Sequence, residues 1–150
     1  MQILISFSFD RVSTIVSCRE TLFSSVSRSK NLQGILKVSP REARVIEARA
    51  LLASCKISRH HGALQSSLAT ATYLARLVGP CEEVGVTIKA GSKYEEANVL
   101  WDQGEMTASI RMLQDLEQKF GVNGQNIQIG KPELLAKLVI SSAPNTHTTH

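Results

Sequence analysis

Ser39-Pro-Arg-Glu-Ala-Arg-Val-Ile-Glu-Ala-Arg-Ala-Leu-Leu-Ala-Ser-Cys-Lys-Ile-Ser-Arg-His-His-Gly62 carries both ends of a helix in its own residues. Ser39 suits an N-cap, and Pro40 suits the first helical position, where a missing N–H costs nothing. Glu42 stands three residues after Ser39, the spacing of a capping box. The pattern predicts a helix over about 40–58, with Val45, Ile46, Leu51, Leu52 and Cys55 facing inward. His60-His61-Gly62 closes it, because glycine accepts the left-handed conformation that commonly follows a helix end.

Working outward, the same grammar recurs. Upstream, Val12, Ile15, Val16, Leu22, Phe23 and Val26 follow helical spacing. Ile3, Ile5, Phe7 and Phe9 alternate like a strand, but a lone strand in a helical chain has no partner, so a helix over about 3–29 is expected. Asn31–Gly34 reads as a break. Downstream, Leu64, Leu68, Ala71, Leu74 and Val78 line one face of a helix over about 63–78, which Gly79-Pro80 is expected to stop. A third helical stretch over about 81–102 carries Val84, Ile88, Ala97, Leu100 and Trp101, with Gly91-Ser92 as a weak point. After Gly104, the residues Met106, Ile110, Leu113, Leu116 and Phe120 form another stripe, closed by Gly121. Residues 121–131 read as a Gly-rich loop, Pro132 opens a short helix to about Ile140, and the polar stretch 141–150 reads as disordered.

The punctuation repeats. Gly62 to Gly104 and Gly79 to Gly121 are both 42 residues apart, within the period range of TPR- and HEAT-like helical arrays. The chain therefore predicts an all-α fold of tandem helical hairpins, a TPR/HEAT-like α-solenoid. Each hairpin in such an array buries its apolar face against neighbours, and about three repeats are needed for stability.

Composition agrees. Of 150 residues, 43% are hydrophobic and 20% charged, so the chain should fold. Aromatics are 5%, and there are 4 Pro and 9 Gly, too few for a turn-dense β sandwich. No apolar run approaches the ~18 residues of a membrane span, and the apolar start lacks the basic leading region of a signal peptide. Net charge is +4, unevenly placed: residues 1–80 hold 11 Lys/Arg and 4 Asp/Glu, residues 81–150 hold 6 and 9. A basic half can signal a nucleic-acid partner or a surface balanced by segments elsewhere. Cys18, Cys55 and Cys81 are odd in number and widely spaced, which suggests neither a disulfide framework nor a metal knuckle.

The residues with chemical potential read as structural. His60 and His61 are adjacent, so their rings leave a helix in different directions; they suit a helix C-terminus better than a metal site. His147 and His150 lie in the polar tail. Glu82-Glu83 and Glu95-Glu96 are neighbours in sequence, which on a helix do not face each other, and are read as solvated. The glycines of 121–130 match neither a P-loop nor a dinucleotide fingerprint. Arg41, Arg44, Lys56 and Arg59 could track a phosphate backbone, but no aromatic residues interleave with them for stacking. No catalytic, cofactor or metal residue is assigned.

Tyr94-Glu-Glu-Ala-Asn-Val-Leu-Trp-Asp-Gln-Gly-Glu-Met-Thr-Ala-Ser-Ile-Arg-Met-Leu-Gln-Asp-Leu116 resembles the FAT region of ATM/Tel-type phosphatidylinositol-3-kinase-related Ser/Thr protein kinases in their fungal form. Ala97, Leu100, Trp101, Gly104, Ala108 and Leu113 hold the small and large packing positions of its TPR-like hairpin. Residues 10–23, 41–50 and 58–66 are similar to the same family, so the likeness covers about residues 5–138. Ala90-Gly91-Ser92 departs from it by interrupting an expected helix, and after Leu138 the chain runs into its polar tail instead of a further helix. No Asp-Phe-Gly and no Gly-Asp-Arg-His is found.

The resemblance implies a partial FAT-type helical repeat region over 1–138 and a disordered tail over 139–150. It implies a fragment lacking the kinase domain: a scaffold or regulatory segment of a nuclear kinase that signals DNA damage and maintains telomeres, itself not an enzyme. ATP and Mg²⁺ would belong to the kinase domain. The partners implied are that domain, neighbouring solenoid repeats and homodimer contacts, with no membrane and no direct nucleic acid. The alternative reading is a stand-alone TPR-like protein-interaction module.

Overall fold

A computed structural model describes residues 2–120, with side chains from Phe9 to Lys119. These form six helices: α1 (Gln2–Arg28), α2 (Lys30–Leu36), α3 (Pro40–His60), α4 (Leu64–Glu83), α5 (Lys89–Asp102) and α6 (Met106–Phe120). No strand occurs among the described residues, so the fold is all-α. The expectations for the Gly-rich loop, the helix opened by Pro132 and the tail lie outside the described residues.

Helix α3 starts as its sequence dictates. Ser39 is extended (φ −75°, ψ 158°), its Oγ accepts from the Glu42 amide at 3.2 Å, and Glu42 Oε2 accepts from the Ser39 amide at 2.8 Å. The Ser39 amide foremost, and then the Ser39 hydroxyl, which donates to the same Oε2 at 2.8 Å, hold the Glu42 carboxyl below its ordinary pKa. At the other end Gly62 takes φ +70°; its amide donates to the Arg59 carbonyl at 3.0 Å and the Ala63 amide to that of Ser58 at 2.9 Å. That pair of bonds satisfies carbonyls the helix leaves open.

Two expected breaks are corrected. Helix α4 passes through Gly79-Pro80 and ends only at Glu83, where Gly85 (φ +75°) repeats the closing pattern: Val86 N to Cys81 O at 2.8 Å and Gly85 N to Glu82 O at 3.0 Å. An interior proline costs ~3 kcal/mol. Continuing the helix buries Cys81 and leads Val86 and Ile88 into the core, and burial of each such aliphatic side chain contributes about 1.5–3 kcal/mol. Packing therefore outweighs the local penalty. The stretch read as one helix over 81–102 is the end of α4, a connection, and α5; Ala90-Gly91-Ser92 is helical, and a Cβ on Gly91 would lie 3.7 Å from Leu52.

The break at Asn31–Gly34 is instead the helix α2. Ser29 Oγ accepts from the Leu32 amide at 3.3 Å, and Lys37 (φ 54°) ends it. Gln33 is buried, its Nε2 donating to the carbonyls of Val26 and Ser27 at 3.0 and 3.1 Å. One glutamine thus satisfies the open end of α1 and fixes the bend between the two helices.

The main core joins α3, α4 and the α4–α5 connection through Ala48, Leu51, Leu52, Leu74, Leu77, Cys81, Val86 and Ile88. A second cluster, Tyr94, Ala97, Leu113 and Leu116, joins α5 to α6. Cys55, Ala71 and Val99 link α3, α4 and α5. The packing order is regular: α3 on α4, α4 on α5, α5 on α6, with α3 also touching α5 and α1 lying against α3. Several expected inward residues face out instead. Ile46 and Leu68 are each 40% exposed, and Ile15 and Leu22 more so. No described helix is long and apolar enough to cross a membrane.

Candidate functional site

Two buried polar networks tie the helices together, and neither was visible as such in the sequence. The first crosses from α3 to α5. Arg59 Nη2 lies 3.2 Å from Glu95 Oε2, and Arg59 Nη1 lies 3.9 Å from Asp102 Oδ2. Glu95 is 1% exposed, so its expected solvated position is corrected; Glu82 and Glu83 are exposed, and Glu96 pairs with Lys93 at 2.7 Å near the surface. Glu95, Asn98 and Asp102 fall at i, i+3 and i+7, one face of α5. That spacing was the available signal for a polar stripe pointing at a neighbouring helix.

Cys55 lies beside this pair and is fully buried. Its thiol is pushed up to about 12, chiefly by burial and then by the Glu95 carboxylate, and it points to the Ser67 carbonyl at 3.6 Å. Cys81 is also raised by burial. A thiol held protonated is a poor nucleophile and a poor metal ligand, so both serve as small core residues. Cys18 is exposed.

The second network joins α1, α3 and α4 at Tyr73. Arg44 Nη1 donates to Glu47 Oε2 at 2.9 Å, and Tyr73 Oη donates to Glu47 Oε1 at 3.2 Å. A phenol has one proton. With that proton donated toward Glu47, Tyr73 Oη accepts from Arg28 Nη2 at 2.9 Å and from Ser24 Oγ at 3.0 Å. Glu47 is 1% exposed, a buried carboxylate with both oxygens occupied.

These networks engage two of the four basic residues considered for phosphate contact. Arg44 and Arg59 are bound within the protein, while Arg41 is exposed and Lys56 half-buried. His61 stacks obliquely near Phe9 (centroids 5.4 Å apart) and edge-on to His60 (5.8 Å). No group of three or more His, Cys, Asp or Glu that could hold a metal occurs among the described residues. His147 and His150 lie outside them.

Of the six packing positions, the structure brings Ala97 and Leu113 together in the α5–α6 core. Ser109 Oγ donates to the Ala97 carbonyl at 2.7 Å, a close helix approach that the absence of a larger side chain at 97 permits. Gly104 (φ +89°) makes the turn between the two helices. Leu100 and Trp101 are half-buried; Ala108 is exposed, and the neighbouring Ser109 takes the buried place. Among the described residues, hydrogen bonds, ion pairs and apolar contacts set the helix spacing.

Comparison with known proteins gives relatives of one kind. The chain is 40% identical over 134 residues to serine/threonine-protein kinase tel1 of Aspergillus oryzae, covering 89% of this chain and 5% of that protein. It is 39% identical over 135 residues to serine/threonine-protein kinase tel1 of Neurospora crassa, covering 90% and 5%. It is 39% identical over 127 residues to serine/threonine-protein kinase tel1 of Emericella nidulans, covering 85% and 4%. The chain thus spans about one twentieth of the length of these relatives. No protein-family model matches it, and no solved structure does.

Proposed function

We propose, from this chain's homology to one segment of the Tel1-type serine/threonine protein kinases, that it is a helical scaffold segment of such a kinase and acts by position rather than by catalysis. The homology over most of the chain carries the reading. The packing order of α3 to α6 supports it, since each helix is held between sequential neighbours as in a solenoid. The segment corresponds to a FAT-type repeat region over 1–138, in a nuclear kinase of DNA-damage signalling and telomere maintenance. Phosphoryl transfer, with its ATP and Mg²⁺, resides in a kinase domain elsewhere in the longer protein.

The mechanism follows from the two networks. A kinase restrained by a packed solenoid responds to partners only if the solenoid transmits displacement instead of absorbing it. The Arg59–Glu95 pair and the Tyr73 hub lock α1, α3, α4 and α5 into one register. Partner binding elsewhere then shifts the balance between restrained and active arrangements. The direct test is a phosphotransfer assay on the purified chain with Mg-ATP and a protein substrate. No transfer above background is expected; Mg-dependent phosphorylation abolished by substitution within this chain would overturn the reading.

A further inference from the structure

Glu20 stands apart from the other carboxylates that the fold withdraws from water. It is half-buried on α1. Glu47 and Glu95 have Arg44 and Arg59 beside them, at 2.9 and 3.2 Å. Among the described residues Glu20 takes no hydrogen bond and no ion pair. Its neighbour Arg19 turns away to the Ala50 carbonyl at 3.4 Å. Arg28, about 12 Å further along the helix, donates to Tyr73 Oη at 2.9 Å. A carboxylate drawn partly from water without a cation carries a desolvation cost that pairing would offset.

Glu20 borders a cavity of about 210 Å³ between α1, α3 and α4. Ser13 and Ser17 lie seven and three positions before it, on the same face of α1. Ser66 and Thr70 of α4 form the facing wall. Ser58 of α3 also lines the cavity; it is 6% exposed, and its hydroxyl bonds to no described residue. Thr70 Oγ1 donates to the Ser66 carbonyl at 2.9 Å, which leaves its lone pairs free to accept. Among the described residues that line the cavity, Glu20 alone is charged.

This set of groups selects its ligand by chemistry. An anion is repelled by Glu20 and meets no cation in the wall. A divalent metal needs more than one carboxylate's worth of hard ligands, and no metal-binding group of His, Cys, Asp or Glu occurs among the described residues. A guanidinium favours a planar, bidentate partner. An ammonium carries three donors and no acceptor, and it rotates to meet acceptors that are not coplanar. Phe9 and Ile57 line the same cavity. The ring face of Phe9 attracts a cation, and Ile57 offers apolar surface to an aliphatic stem. The volume lies below the about 300–1,000 Å³ of pockets for drug-sized molecules, so the ligand is the size of a side chain.

We propose that this cavity is a binding site for a primary alkylammonium group, carried by a free amine or by a lysine side chain. Glu20 supplies the opposite charge and a charge-assisted hydrogen bond. The hydroxyls of Ser58 and Thr70 accept the remaining N–H groups. The bound group ties α1 to α4 across α3 and stabilises the folded chain by mass action. The proposal is independent of the scaffold reading.

The test follows the backbone amide resonances of the full chain as n-butylamine is added in its protonated form at neutral pH. Saturable shifts are expected around Ser17, Glu20, Ser58 and Thr70. The uncharged n-butanol, with the same stem, should give none; this comparison needs no variant. Glu20→Gln should weaken butylamine binding roughly tenfold or more, and Ser58→Ala about two- to tenfold, the loss of one hydrogen bond. Glu117→Gln, at an exposed carboxylate on α6, should bind as the parent chain does. Nα-acetyl-lysine N-methylamide separates the two sources. Tighter binding than butylamine assigns the site to a lysine side chain, and weaker binding assigns it to a free amine. No saturable shift with either amine, equal binding of n-butanol, or affinity unchanged in Glu20→Gln would each overturn the proposal. The scaffold reading would survive any of these, because it is read by phosphotransfer and by the activity of the whole kinase.

Discussion

Removing Arg59 tests whether the α3–α5 register is held by its ion pair. In Arg59→Met the apolar stem is kept and the guanidinium is lost, leaving Glu95 at 1% exposure without the cation 3.2 Å away. Breaking one side of a buried pair costs about 3–5 kcal/mol. Arg59 itself is 16% exposed, which places the effect near the lower figure. For a chain of this size ~3 kcal/mol corresponds to a fall of about 6–12 °C in Tm. The contact to Asp102, at 3.9 Å and 30% exposed, should matter far less, so Asp102→Asn should cost under about 1 kcal/mol. Replacing both partners, Arg59→Met with Glu95→Leu, removes the stranded charge and should recover most of the loss. Urea melts of the four proteins form the required cycle. A single Arg59→Met costing under about 1 kcal/mol, or a double variant as unstable as the sum of the singles, would refute the argument that this pair sets the register.

Other outcomes follow from the same structure. Leu74→Ala, at a side chain with no exposure in the main core, should cost about 2–5 kcal/mol by chemical denaturation. Ser39→Ala should cost about 1 kcal/mol through loss of the N-cap, seen as lower helicity and Tm. Glu42 is held below its ordinary pKa, so its contribution is present above the usual carboxylate range and is lost as pH falls through the lowered value; Glu42→Gln should flatten that part of the acid stability profile. Cys55 is raised to about 12, so the unfolded chain ionises first as pH rises above about 8.5 and stability should decline from there toward pH 12, less steeply in Cys55→Ala. In the folded protein Cys18 should react with a thiol reagent at once, while Cys55 and Cys81 react only on unfolding.

How much of this was legible in the sequence depends on the range of the forces involved. The start of α3 was readable because Ser39, Pro40 and Glu42 settle it within four residues. Gly62 and Gly104 were readable because helix ends need positive φ there. Gly79-Pro80 misled because its local cost is overridden by burial of Cys81, Val86 and Ile88, which only the tertiary fold supplies. Helix α2 was missed because its stability rests on Gln33 bonding to the end of α1. Glu95 read as solvated because its partner, Arg59, lies 36 positions away in sequence. Ile15, Leu22, Ile46 and Leu68 could not be placed because helical spacing marks an apolar stripe without saying which stripe the core takes.

The central claim, that this segment acts by holding a larger kinase in position, is tested most directly by grafting. The whole Aspergillus oryzae kinase, its matched segment replaced by this chain, would be compared with the same graft carrying Leu74→Asp. The account predicts an active first graft and a marked loss of phosphotransfer or of its regulation in the second, with an intact kinase domain in both. Equal and normally regulated activity in the two grafts would contradict it.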